Sequence, residues 1–254
     1  MTAQKPPFLN FQMDHMTLLL EPKMYNVAYA IFRVIFGVTS DDILYEKRRE
    51  WIPGKGEESM TFAVRIGSGA QETAELNQTI FAVVQPTEPN SEPSHVREML
   101  KTHRAAAHWQ HVALRTPDLL AFHRHALERG VNFITPVLKD EREDLIQVFS
   151  GEWFFPGMAP SGVFFEFVQR NPSEELVKKL EQRNRESWFR DSTFLGLYGE
   201  KEREYQSGKV TPFLDEALFL KLEERLGKRK LWEISDADLA WVDATLLAYG
   251  SQKS

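Results

Sequence analysis

The sequence predicts an α+β fold: two βαβββ modules forming an open, barrel-like cavity, followed by a C-terminal helical extension. Three observations lead there. Two stretches run through the same order of first strand, amphipathic helix and further strands, which is the pattern of an internal duplication. Each first strand carries a histidine, His15 in one and His111 in the other. Beyond Arg170 strand-like alternation stops and charged helical periodicity takes over.

The first module spans residues 11–90. A short apolar run follows Asp14 and His15, and Pro22 then opens a helix at a position where its missing N–H costs nothing. Val27, Ile31, Val34 and Ile35 mark the apolar face of that helix, and Gly37 suits the turn beyond its end. Strands are predicted over 59–66 and 79–85. Residues 86–93 hold three prolines and read as a connecting loop, and 91–106 form the linker. The second module spans 107–171. Thr116 is its expected N-cap, Pro117 the first helical position, and Leu119, Phe122 and Ala126 supply helical spacing as far as Gly130. Strands follow over 144–150 and 162–170. In the extension, 172–254, Thr211 and Pro212 are expected to open a helix that closes near Gly227. Ser235 with Asp238 forms a capping box ahead of Leu239, Val242 and Leu246.

Composition narrows the chemistry. With 42% hydrophobic residues the chain can bury a core. Its net charge of −6, with no stripe of Lys and Arg, gives no footprint for nucleic acid. No apolar run approaches the ~20 residues that span a bilayer, so no membrane partner is expected and the cytoplasm is the expected location. Zero cysteines exclude disulfides, iron–sulfur clusters and thiolate zinc sites. A metal would have to be held by carboxylates and by some of only seven histidines.

Glu166 is the most informative residue. Alternation along residues 162–170 puts it on one face with Phe164 and Val168, while Val163, Phe165 and Phe167 take the other. Both faces are apolar, so the carboxylate must be neutralised, paired with an interior Arg, or bound to a cation. His15 and His111, at matching places in duplicated units, could join it. Two His and one carboxylate make a facial triad suited to Fe(II), with three adjacent positions open. His123 and His125 read as structural, and nothing in the pattern singles out His103 or His108.

The residues then carry a family resemblance. Asp14 with His15, the run from Trp109 to Asp118 that contains Gln110 and His111, and Leu145 to Phe149 recur in order and spacing. So do Phe164 to Arg170, where Glu166 precedes two apolar residues and Gln169-Arg170, and Phe189 to Tyr198. From about residue 12 to about 200 the chain resembles the catalytic half of the 4-hydroxyphenylpyruvate dioxygenase family, within the vicinal-oxygen-chelate superfamily. The resemblance implies an Fe(II) enzyme with His15, His111 and Glu166 as ligands of the cavity metal. Gln110 and Gln147 would face the substrate, and Phe149 would wall the pocket with Phe189, Phe194 and Leu197 of a lid helix near 189–205. Strict alternation sets Gln110 opposite His111, so its role would need a local twist. The implied activity is oxidative decarboxylation and hydroxylation of a 2-oxo acid by dioxygen. Apart from the resemblance, residues 206–254 are expected to cap the cavity or build a homodimer interface.

Departures from the family affect the substrate end. Its Asn-Glu-Pro is Thr87-Glu88-Pro89 here, and its following Ser-Gln is Ser94-His95, where the family's Asn and Gln help hold the substrate ring. Two other readings stand beside the first. Pro160-Ser161-Gly162 ahead of Glu166 resembles the extradiol ring-cleaving dioxygenases of the superfamily, although their upstream Tyr is absent. The same fold also serves as a non-catalytic binder of small molecules.

Overall fold

A computed structural model of the chain describes residues 5–66, 79–140, 144–154, 157–187 and 193–253. It divides into two compact units, Met13–Leu114 and a second made of Met1–Gln12 with Arg115–Ser254.

The first unit contains β1 (Gln12–Leu20), α1 (Pro22–Val34), β2 (Ile43–Arg49), β3 (Glu58–Ile66), β4 (Thr79–Val84), α2 (His95–Thr102) and β5 (Ala107–Arg115). Its strands lie in the order β2-β3-β4-β1-β5. β1 runs parallel to β4, with His15 opposite Ile80 and Thr17 opposite Ala82. β3 is antiparallel to both of its neighbours. Pro22 does start α1, and Gly37 takes φ +69° after its end. The expected apolar face is the wrong one. Val27, Ile31, Val34 and Ile35 are 58, 38, 82 and 70% exposed, whereas Tyr25 and Phe32 are buried. The aromatic pair lies on roughly the opposite side of the helix. Its rings meet Phe62 edge-on at 5.1 and 6.1 Å. Leu20, Val38, Val64 and Val83 complete that core. Inside the expected linker, α2 forms because the Ser94 hydroxyl accepts the Arg97 N–H, and Val96, Met99 and Leu100 are buried beneath it.

The second unit contains α3 (Leu119–Leu127), β6 (Leu138–Lys139), β7 (Leu145–Glu152), β8 (Phe164–Arg170), α4 (Glu174–Ser187), α5 (Thr193–Ser207), α6 (Glu216–Leu226) and α7 (Asp236–Lys253). Its strand order is β8-β7-β6. β7 and β8 pair antiparallel, with Gln147 opposite Val168 and Phe149 opposite Glu166. The N-cap of α3 is Asp118, not Thr116: its carboxylate accepts the Ala121 N–H at 3.0 Å. Thr116 is already committed, giving its N–H to Val168 O and its hydroxyl to Phe8 O. Thr211 and Pro212 do not open a helix either. Glu152 N–H donates to Thr211 O and Phe213 N–H to Glu152 O, which holds the segment extended along the end of β7. α6 therefore begins only after Asp215. The capping box of α7 is present, with Ser235 Oγ and Asp238 exchanging hydrogen bonds. The helix nevertheless turns Asp238, Thr245 and Gly250 inward, while Leu239 is 55% exposed. No helix among the described residues is long and apolar enough to cross a membrane.

Candidate metal centre

β1 and β5 each hold one histidine in the first unit, and their rings converge. His15 Nε2 and His111 Nε2 are 3.2 Å apart, with ring planes at 81°. Donors about 2.1 Å from one metal ion stand ~3.0 Å apart at adjacent octahedral positions and ~3.4 Å apart at tetrahedral ones. The observed separation fits a shared cation.

The opposite edge of each ring is tied back. His15 Nδ1 lies 3.0 Å from Asp14 Oδ1, whose side chain is 2% exposed. His111 Nδ1 lies 3.1 Å from Gln110 Oε1, and Gln110 Nε2 lies 2.9 Å from His95 Nε2. Carboxylate and carboxamide oxygens accept, so each Nδ1 carries a proton, and Nε2 is the atom each ring can turn to a cation. This is how metal-binding imidazoles are oriented, through an acceptor on the far nitrogen. Thr17, two residues after His15 and on the same strand face, donates its hydroxyl to His111 Nε2 at 2.9 Å.

In the second unit Glu166 is 3% exposed on β8, between Phe164 and Val168, which are both fully buried. Cross-strand pairing puts Glu166, Phe149 and Gln147 on one face of the β7–β8 pair. Gln147 is buried as well. Phe149, Phe164 and Leu197 of α5 pack into one cluster with Ile134. Phe189 lies outside the described residues, as does the side chain of Phe194. Gln110 lies behind His111, reaching its Nδ1 with the carboxamide oxygen.

Three groups in these elements escape sequence reasoning. Thr17 could have been found from its i+2 spacing to His15, and Asp14 from its place in the motif. The third has no sequence signal. Glu152 and Lys201 are fully buried and paired at 2.7 Å. Lys201 also binds Glu204 at 2.8 Å, the Tyr205 hydroxyl donates to Glu152, and the Gly162 N–H donates to Glu152 Oε2. Burial, then the adjacent Glu152 carboxylate, pushes the Tyr205 hydroxyl above its ordinary range, so it stays a donor. Nothing in the sequence marks Lys201 as buried, yet here it anchors α5 to the end of β7.

No protein-family model matches the chain, and no curated protein sequence matches it either. Solved structures do. A triple mutant of 4-hydroxymandelate synthase from Streptomyces coelicolor aligns with a TM-score of 0.53 at 20% identity, covering 80% of this chain and 57% of that one. The chain thus spans less than two thirds of the synthase. A methylmalonyl-CoA epimerase aligns at 22% identity and TM-score 0.43, covering 63% of this chain and 95% of its own. The epimerase of Mycobacterium tuberculosis aligns at 17% and 0.40, covering 65% and 91%. The epimerases are too distant to bear on the fold. The likeness to the synthase shows it: a mixed α+β fold of the vicinal-oxygen-chelate type, as the family resemblance implies.

Proposed function

We propose that the chain is a non-haem Fe(II) dioxygenase that oxidises a 2-oxo acid, with His15, His111 and Glu166 as the metal ligands. The observation that carries the reading is the pair of imidazoles whose Nε2 atoms meet at 3.2 Å while each Nδ1 is held by a buried acceptor. The donor set fits the ion. Two neutral imidazoles and one carboxylate leave a single net positive charge on a divalent cation, which favours an anionic substrate. When bound, Fe(II) would supply the redox chemistry: chelation of the 2-oxo acid beside dioxygen, release of CO2, and hydroxylation of the remaining skeleton.

The residues of the chain do the rest. Asp14 and Gln110 keep both rings in the tautomer that offers Nε2. The apolar neighbours of Glu166 leave little water to screen its charge, which strengthens its attraction for the cation. Gln147, on the face of Glu166, offers a carboxamide to a substrate oxygen. Phe149, Phe164 and Leu197 form a dry wall that keeps water from the reaction. The Pro160–Gly162 run has a local structural explanation instead of a ring-cleaving one: Gly162 turns at φ +73° and gives its N–H to Glu152.

The test is anaerobic titration of Fe(II)-loaded protein with aryl and alkyl 2-oxo acids, followed by exposure to oxygen. A weak visible charge-transfer band and matched oxygen uptake and CO2 release are expected with at least one acid. No uptake and no CO2 across the panel would sink the reading.

A further inference from the structure

We infer that His95 is a positioning residue for His111, acting through the carboxamide of Gln110; this rests on the metal reading above and concerns the same site. Ser94 caps α2, so His95 occupies the first position of the helix, 1% exposed among Val96, Met99 and Leu100. Its Nε2 is 2.9 Å from Gln110 Nε2. An amide nitrogen can only donate, so His95 Nε2 accepts and its ring carries the proton on Nδ1. With its NH2 committed to His95, Gln110 turns Oε1 toward His111 Nδ1 at 3.1 Å. An amide oxygen can only accept, so His111 is protonated at Nδ1 and has its lone pair on Nε2.

The reversed amide would have the opposite effect. It would present NH2 to His111 Nδ1, move the ring proton to Nε2, and aim an N–H at the Nε2 of His15, 3.2 Å away. No metal could then use His111. Gln110 is 1% exposed, so water has little access to substitute for the missing partner. The choice between the two arrangements falls to the one buried ring on the far side of the amide. His95 also stands where the resembled family has a Gln at the substrate's ring end. In this chain that position supports the metal side of the site.

The tautomers can be read directly from long-range 1H–15N correlations of the imidazole nitrogens in the metal-free protein. Protons on Nδ1 of both His95 and His111 are expected. A wild-type spectrum with His111 protonated at Nε2 overturns the inference, whatever the metal does. His95→Phe keeps a ring and removes the acceptor. In it His111 should populate both tautomers, and Zn2+ affinity, by competition with a chromogenic chelator, should weaken about 10- to 100-fold. His95→Gln, whose carbonyl restores the acceptor, should return the affinity to within about threefold of wild type. An unshifted His111 tautomer and unchanged Zn2+ affinity in folded His95→Phe would also overturn it. If His95→Phe fails to fold, the wild-type spectrum and His95→Gln still decide. A wild type with the expected tautomers that binds neither Zn2+ nor Fe(II) defeats the metal reading and leaves the positioning role standing.

Discussion

Thr17 competes with any metal for one lone pair. Its hydroxyl donates to His111 Nε2 at 2.9 Å, the atom that ligation would use. A buried hydrogen bond of this kind is worth about 0.5–1.5 kcal/mol net, so Thr17→Val should tighten Fe(II) binding roughly two- to tenfold in equilibrium titrations. Weaker binding would mean that the hydroxyl supports the site. Asp238 offers a second check at the same scale. Its carboxyl is held at about 2, against an ordinary 3.8, by the Ser235 hydroxyl and backbone N–H and then by Arg225 and Arg229. A depressed folded pKa contributes stability that is present above the unfolded value and lost as pH falls through the folded one. The melting temperature should therefore drop between pH 4 and 2, and Asp238→Asn should make that drop shallower. Gly250 is needed for a steric reason: a Cβ there would stand 2.1 Å from the Glu128 carbonyl oxygen. Gly250→Ala must push α7 off the end of α3, at a cost of about 1–3 kcal/mol in denaturant unfolding.

α5 is fastened by charge as well as by Leu197. Removing one partner of a buried ion pair leaves the other uncompensated, at about 3–5 kcal/mol. Lys201→Met should thus destabilise strongly in urea, while the double variant Glu152→Gln with Lys201→Met should recover much of the loss. Additive losses would mean that the pair is not coupled. Elements like this one mark the limit of what can be read from the chain. Pro22, Gly37 and the Ser235–Asp238 box are backbone punctuation, which acts locally and is therefore legible in sequence. The buried face of α1 is not, because an aliphatic stripe and an aromatic pair compete and only tertiary packing on Phe62 decides between them. The start of α6 is hidden for a similar reason, since Pro212 is occupied by pairing with Glu152, a partner 60 positions earlier in the chain. Lys201 gives no local sign of its burial at all.

For the molecule as a whole, the fold was legible because two stretches repeat one order of strand, helix and strands, and the proposed ligand types follow from metal chemistry in a chain without cysteine. The residues proposed to orient them were not, since the hydrogen bond from the Gln110 amide to His95 crosses 15 positions and leaves no periodic trace. A cation bound only by the native state should also stabilise it, by about 2.7 kcal/mol at a hundredfold excess over the dissociation constant. The melting temperature should accordingly rise with Fe(II) and fall back on chelation. The most direct measurement is anaerobic equilibrium dialysis with metal analysis on wild type, His111→Ala and Glu166→Ala, each verified as folded. One Fe(II) per wild-type chain, lost in both variants, is the expected result. Stoichiometric iron retained in both variants would contradict the assignment of the site.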